Sequence, residues 1–176
     1  MSSTALTPFS YVVLVLVGRD GAGPHDLVQM ARRGRVYWSA AESQYYAEPK
    51  RLETLGLLSS SKEPGRTRER THYRLTPAGE AAVRDWAGTP VGFPRLQHEA
   101  VVRVLAVDLV GREAVLASLR PLGEELDAME ERLSAAEEAA GSIPHRERAL
   151  RLNLRLARRL VDAHREWLAD VSRELR

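Results

Sequence analysis

The second half of the chain carries apolar or small residues at alternating spacings of four and three along two long segments. Residues at this spacing lie on one side of a helix, so each segment predicts a helix with a continuous apolar seam. Such a seam requires other helices to cover it. The first seam consists of Val115, Leu119, Leu122, Leu126, Met129, Leu133, Ala136 and Ala140, and the second of Leu150, Leu154, Ala157, Val161, His164, Leu168, Val171 and Leu175. With a further helix expected over 96–110, this half is predicted to be all α-helical.

A helix-breaking segment separates this half from the first. Residues 88–94 read GTPVGFP, with two glycines and two prolines, and both residue types interrupt a helical pattern. We therefore predict a domain boundary here, with one domain over residues 1–88 and a second over residues 89–176.

The first half opens with two short helical segments. Thr7 and Pro8 are typical of an N-cap and a first helical residue, which favours a buried helix over the apolar run that ends before Gly18. The β-branched residues of this run favour a strand instead, and periodicity leaves the two alternatives open. A second helix is predicted over 24–33, PHDLVQMARR, closed by Gly34.

A capping box marks a third helix. The side chains of Ser39 and Glu42 can satisfy each other's exposed backbone amides at a helix start, and the helix should extend to Gly56.

After Gly56 the spacing of the apolar residues becomes that of short β-strands. Residues 57–61 and 71–75 flank the polar turn KEPGRTRER, which predicts a β-hairpin with a basic tip. Thr76 and Pro77 repeat the cap-plus-proline start, so a fourth helix is expected over 78–86. The order helix, helix, helix, hairpin, helix is that of a winged helix-turn-helix. The predicted fold class is therefore mainly α with a small β-hairpin, a winged helix-turn-helix domain followed by an all-α domain.

The region around the hairpin is locally basic. Residues 50–74 hold seven basic and three acidic side chains, a charge of +4, whereas the whole chain has a net charge of +2. A local positive patch on a near-neutral protein is typical of a nucleic-acid-binding surface. A solvated turn with salt-bridged arginines would give the same pattern, so charge alone leaves both alternatives open.

Three segments resemble the PadR family of transcriptional regulators. Residues 43–53, SQYYAEPKRLE, followed by 55–58, LGLL, are similar to the family's recognition helix and its exit into the wing, and residues 73–79, YRLTPAG, resemble its wing-to-helix junction. The long helical second half looks like the larger subfamily, whose C-terminal helices build the dimer. The resemblance implies a homodimer that binds a pseudo-palindromic double-stranded operator, with repression as the usual mode.

The start of the third helix is the predicted reading surface. Residues near the N-terminus of a helix in the major groove usually meet the base edges, so we assign this role to Ser43, Gln44 and Tyr45. Gln44 can form a bidentate pair with adenine. The basic residues expected to contact the DNA backbone or the minor groove are Lys50, Arg51, Arg66, Arg68 and Arg70.

The two adjacent tyrosines cannot both face the groove, because neighbouring residues on a helix point about 100° apart. Tyr46 is the preferred core candidate, since Pro49 and Leu52 are interpreted as sharing its face. Its hydroxyl could still reach a phosphate, so Tyr46 also belongs to the predicted DNA-binding set.

The sequence departs from the family pattern at two places. His25, Asp26 and Leu27 stand where His-Gly-Tyr is common, so a phosphate contact from that tyrosine is not carried over. Pro49 stands where a core leucine is common. A proline inside a helix clashes with the carbonyl four residues earlier, that of Tyr45, at a cost of about 3 kcal/mol unless the helix bends. We therefore predict a kink in the third helix.

The last helix has a second apolar line beside its seam. This line consists of Leu152, Leu156, Leu160 and Trp167. In a monomer the two long helices could cover each other's seams, but one apolar line would stay exposed, and such faces usually mark an interface. We therefore predict homodimerisation, and the residues expected at the interface are Leu150, Leu154, Val161, Leu168 and Val171. His164 on the seam is expected to be a hydrogen-bonded core histidine.

Regulation requires a change in the distance between the two recognition helices of a dimer. The resemblance implies that a small aromatic or drug-like effector near the dimer core can cause this change. Trp86 and Trp167 could stack on such a ligand; packing within the core is the alternative for both.

Several other classes are disfavoured. The chain has no cysteine, which excludes disulfides and favours a reducing compartment, and its five histidines lack a metal-ligand spacing, so we expect no metal or cofactor. Motifs of common enzyme classes, such as GxSxG or a P-loop, do not occur, so we expect no enzyme. The longest apolar run has seven residues, well short of the roughly 20 that cross a bilayer, which favours a cytoplasmic protein. A helical adaptor whose winged domain binds an acidic protein partner is the alternative function.

Overall fold

The computed structural model describes residues 5–33, 37–64 and 69–175. The chain forms two compact units, of which the first ends at Gly92 and the second begins at Phe93. The predicted fold class is confirmed, because the described residues are mainly helical and include a two-stranded antiparallel hairpin.

The first unit begins with helix α1, Pro8–Val17. The backbone N–H of Thr7 donates to Ser10 Oγ at 2.9 Å, and the N–H of Ser10 donates to Thr7 Oγ1 at 3.2 Å. This reciprocal cap and the proline that follows it start the helix, so the alternative of a strand for residues 11–17 is wrong. The buried side of α1 consists of Ser10, Val13, Leu14 and Val17.

Helix α2 spans Pro24–Arg33 and α3 spans Glu42–Thr54. The predicted capping box of Ser39 and Glu42 is wrong, because the N-cap of α3 is Ala41. Gln44 Oε1 accepts the N–H of Ala41 at 3.2 Å, as a glutamine at the third helical position commonly does. Glu42 instead accepts hydrogen bonds from Arg32, at 2.5 and 3.1 Å, which join α2 to α3. Gly34 lies outside the described residues.

The hairpin consists of β1, Leu58–Glu63, and β2, Arg70–Leu75. The strands are antiparallel, with Leu58 opposite Leu75 and Glu63 opposite Arg70. Ala22 and Tyr73 exchange two backbone hydrogen bonds of 3.0 Å. The hairpin is therefore fixed to the α1–α2 connection as well as to α3.

The junctions around the hairpin depend on glycine and threonine. Gly56 has a φ of 72°, the left-handed region that favours glycine. Thr76 Oγ1 donates to the carbonyl of Gly56 at 2.7 Å and accepts the N–H of Gly79 at 3.1 Å, which starts helix α4, Pro77–Ala87. A methyl group at Gly79 would overlap the carbonyl of Leu57. Glycine at this position therefore permits close contact between α4 and the segment before β1.

The second unit is all-helical, as predicted. Its elements are α5, Glu99–Leu105; α6, Val107–Val110; α7, Arg112–Ala140; and α8, Glu147–Glu174. The single helix expected over 96–110 is wrong, because it is replaced by α5 and α6. The N–H of Ala106 bonds the carbonyl of Arg103, three residues back, at 3.1 Å, which tightens the turn where α5 ends.

The long helices α7 and α8 form an antiparallel hairpin. Arg165 pairs with Asp127 at 2.9 Å, Arg158 with Glu130 at 3.2 Å and Arg151 with Glu137 at 3.4 Å, so later residues of α8 meet earlier residues of α7. The buried seam positions of the two helices are Val115, Leu119, Leu126, Leu133, Ala140, Ala157, Val161 and Val171. The two apolar seams thus cover each other within one chain.

Within residues 5–33, 37–64 and 69–175, no helix combines the length and the apolar character needed to span a membrane.

Candidate nucleic-acid interface

Helix α3 has two chemically different faces. Its buried face consists of Tyr45, Pro49 and Leu52. Its exposed residues include Ser43, Gln44, Tyr46 and Lys50. The buried face packs with residues of α1, α2 and the hairpin in one apolar cluster, so the helix is held firmly while its polar face stays open to solvent.

The assignment of the two tyrosines is the reverse of the prediction. Tyr45 is 3% exposed and its ring packs edge-on against Phe9 at 5.1 Å, whereas Tyr46 is 45% exposed. Pro49 and Leu52 follow Tyr45 by four and seven residues, the spacing of one helix face, so they share the face of Tyr45. Burial raises the pKa of Tyr45. The proposed base contact from Tyr45 is therefore wrong, and Tyr46 is the tyrosine available to a ligand.

Pro49 lies inside α3, which is continuous from Glu42 to Thr54. Its side chain is fully buried in the first unit, where it replaces the expected core leucine. The kink at Pro49 stays a prediction.

The side-chain amide of Gln44 is hydrogen-bonded at its oxygen and open at its nitrogen. Its amide oxygen accepts the N–H of Ala41, while its amide nitrogen donates no hydrogen bond within the described part of the chain. The oxygen partner fixes the side chain, and the exposed nitrogen can donate to an acceptor. Lys50 lies two turns further along, with its side chain exposed.

Arg51 is ion-paired and hydrogen-bonded within the first unit. Its guanidinium donates to Glu48 at 2.7 and 2.9 Å and to Ser10 Oγ at 2.9 Å. Burial works against the charged form of Glu48, but the hydrogen bonds from Arg51 and Ser10 and the charge of Arg51 outweigh it, so the pKa of this carboxyl lies below its usual value. Arg51 thus joins α3 to α1, and its predicted contact with the DNA backbone stays a prediction.

The arginine side chains of β2 lie close to the carboxylate of Glu63. Arg70 and Arg74 lie on β2 with side chains that are each 56% exposed, and both point toward the carboxylate of Glu63 at 3.8 and 3.5 Å. The predicted contacts Arg66 and Arg68 lie outside the described residues. Arg70 is thus the predicted wing contact whose side chain the structure describes.

Solved structures of transcriptional regulators match the chain along nearly its whole length. PadR of Bacillus subtilis in complex with operator DNA is 20% identical, with a TM-score of 0.72 and coverage of 95% of this chain and 99% of that one. The PadR-like regulator BC1756 of Bacillus cereus is 16% identical, with a TM-score of 0.77 and coverage of 97% and 99%. The Vibrio cholerae virulence activator AphA is 25% identical, with a TM-score of 0.72 and coverage of 94% and 96%.

The Bacillus subtilis protein has also been solved with p-coumaric acid; that structure is 19% identical to this chain, with a TM-score of 0.57 and coverage of 93% and 98%. No protein-family model and no curated protein matches the sequence.

The chain has the PadR fold. The resemblance predicted from residues 43–58 and 73–79 is thereby confirmed for the fold. The likeness extends over the long helical second unit, since the PadR structures match nearly the whole chain.

In this PadR fold, part of the predicted dimer seam is already covered. Val161 and Val171 are 3% and 7% exposed within the single chain, and Val171 packs against Val115 and Leu119 of α7. These two residues are therefore wrong as interface residues, because α7 covers them. Leu150, Leu154 and Leu168 are half-buried. The second apolar line is the more open one, with Leu152 and Leu156 about half exposed.

The two candidate effector tryptophans each have an aromatic neighbour in their own unit. Trp86 is 42% exposed and stacks on Tyr11, with ring centroids 4.8 Å apart and planes 8° from parallel. Trp167 is partly buried, and His98 meets it edge-on at 5.6 Å. Each tryptophan thus packs against an aromatic ring of its own unit, but Trp86 is too exposed to be a core residue. Ligand stacking stays a prediction for both.

The histidine on the seam is hydrogen-bonded and partly buried. His164 Nδ1 donates to the carbonyl of Leu160 at 2.5 Å, and its ring stacks on that of His98 at 4.8 Å. The predicted hydrogen bond of His164 is confirmed, whereas its side chain is only partly buried.

We did not predict from the sequence the ion pairs that Glu48 and Glu63 form. Glu48 and Arg51 are three residues apart on one helix, a spacing that allows an ion pair, and this signal was present in the sequence. The contacts of Glu63 follow from the strand register, which the sequence left undefined.

Proposed function

We propose that the chain is a sequence-specific DNA-binding transcriptional regulator that acts as a homodimer in the cytoplasm and is not an enzyme. The observation that carries the proposal is the polar, exposed N-terminal part of α3, held by the buried face of Tyr45, Pro49 and Leu52 beside a basic hairpin. The likeness to PadR of Bacillus subtilis, solved with operator DNA, supports it.

In the proposed complex α3 lies in the major groove. Gln44 donates through its free amide nitrogen to a base edge, and full bidentate pairing with adenine requires its oxygen to leave the N–H of Ala41. Ser43 and Tyr46 flank this contact. Lys50 and Arg70 bind phosphates, and Arg66 and Arg68 stay predicted wing contacts.

The domain roles follow from this assignment. Residues 1–88 form the DNA-binding domain and residues 89–176 the dimerisation domain, with Leu152 and Leu156 among the residues that a second copy covers. Two-fold symmetry then requires a pseudo-palindromic operator with half-sites about 34 Å apart, or a multiple of it.

We propose repression released by a small aromatic effector as the regulatory mode. The likeness to a protein solved with p-coumaric acid supports this class of ligand. Trp86 and Trp167 are the candidates for stacking on it. The activator AphA shares the fold, so a promoter-reporter assay must determine the sign of regulation.

A gel-shift titration with the DNA upstream of the protein's own gene tests the function. A regulator should bind at nanomolar dimer concentration, with a slope of log affinity against log salt of about −5 if about six phosphates are neutralised. Gln44→Ala should weaken specific binding by about 1–3 kcal/mol, while Gln97→Ala, an exposed glutamine of the second unit, should not. A salt slope near zero, or no binding to any DNA, favours the adaptor alternative.

A further inference from the structure

Glu63 lies at the end of β1 and faces the basic side of β2. Its Oε1 is 3.5 Å from Arg74 Nη2, and its Oε2 is 3.8 Å from Arg70 Nη2 and 3.6 Å from His72 Nδ1. Every second side chain of a strand points to the same side, so Arg70, His72 and Arg74 share one face of β2. A single carboxylate thus contacts all three side chains of this face.

The carboxylate is fixed more firmly than its partners. The Glu63 side chain is 29% exposed, whereas those of Arg70 and Arg74 are each 56% exposed. Glu63 lies directly opposite Arg70 in the strand register, so the two side chains leave the sheet on the same face. The arginine side chains are longer and freer, and they are the groups that can move away.

The two ion pairs are loose enough to exchange. Both distances exceed the 2.7–2.9 Å of a charge-assisted hydrogen bond, and exposed pairs of this kind are weak. A DNA phosphate offers the same arginines a stronger acceptor. To bind it, they must leave or share Glu63, whose negative charge also repels the phosphate.

We propose that Glu63 limits the DNA affinity of the wing by competing with phosphate for Arg70 and Arg74. The proposal rests on the proposed DNA-binding function and names the residue that sets its strength. Glu63 acts through the two arginines and is therefore a positioning residue.

The first test is Glu63→Gln in the full-length protein. Glutamine keeps the size and the strand position but removes the charge. Binding to a 30-bp duplex at about 0.1 M salt should tighten about fivefold, the upper range for one exposed ion pair. The salt slope should become steeper by about one to two, because two more cations are available to phosphate.

A matched control separates this effect from net charge. Asp85→Asn changes the charge equally at an exposed position of α4 and should leave the salt slope unchanged. Thermal unfolding of each variant establishes that it is folded.

A double-mutant cycle identifies the route of the effect. In a background with Arg70→Gln and Arg74→Gln, the change Glu63→Gln should no longer tighten binding. An equal tightening in that background, or a Glu63→Gln variant that behaves like Asp85→Asn, overturns the proposal while DNA binding stands. If the unmodified protein binds no duplex even at low salt, the proposed function itself fails.

Discussion

The two units of the chain differ in how completely they bury their apolar residues. The first unit encloses ten buried hydrophobic residues in one cluster drawn from α1, α2, α3, the hairpin and the segments between them. The second unit leaves large apolar side chains open, including Leu105 at 75% and Leu109 at 82% exposure, together with the half-exposed Leu152 and Leu156. The second unit therefore buries one seam but leaves further apolar surface open, and such surfaces usually mark an interface.

The largest expected effect is in the core of the first unit. Tyr45→Ala should lower the free energy of unfolding by about 3–5 kcal/mol, because it empties a buried aromatic site against Phe9. Its neighbour provides the control: Tyr46→Ala removes an exposed ring and should change stability by less than about 0.5 kcal/mol. Urea denaturation measures both, and equal losses would break the distinction between the two faces of α3.

The next effect concerns the open surface of the second unit. The double change Leu152→Glu with Leu156→Glu should weaken dimerisation roughly hundredfold, because unpaired carboxylates would be buried in the interface. Sedimentation analysis across a concentration series measures the dissociation constant.

Arg84→Glu in α4 alters the net charge by the same amount at an exposed site and should leave the dimer intact. A dimer that persists in the double variant would place the interface elsewhere on the second unit.

A smaller effect is expected at the α4 junction. Gly79→Ala should destabilise the first unit by about 1–3 kcal/mol, since the added methyl group overlaps the carbonyl of Leu57 and the backbone must shift. Gly92→Ala adds a methyl group with nothing within 4 Å and should be close to neutral. Thermal unfolding of the two variants compares a required glycine with a tolerant one.

The smallest effect is a pH dependence in the second unit. Burial, together with the neighbouring His164, lowers the pKa of His98 below its usual value near 6.5. The unfolded chain then binds the proton more readily, so the stability from neutral His98 is fully present above about pH 6.5 and decreases as the pH falls toward the lower folded value.

His98→Asn keeps a side chain able to cap α5 and should flatten this decrease. Urea denaturation between pH 7.5 and 5.5, a range of about two units around the histidine value, measures the difference. An unchanged slope in the variant would assign the pH dependence to another group.

Much of the fold could be predicted because local signals and tertiary packing agree. Thr7 with Pro8 and Thr76 with Pro77 start the helices where expected, and the change of period after Gly56 marks the hairpin. The buried face of α3 could not be predicted. The apparent cap at Ser39 was wrong, and the positions of Pro49 and Leu52 did not decide whether Tyr45 or Tyr46 shares their face. The helical seams predicted packing correctly, but a seam does not reveal whether its partner lies in the same chain.

Ser10 joins the beginning of α1 to α3. Its hydroxyl receives the guanidinium of Arg51 from α3 while it also closes the cap with Thr7. The contact between the two helices consequently runs through a serine side chain that is fully buried. Ser10 therefore links the start of α1 to the position of α3, the helix that the proposed function places in the major groove.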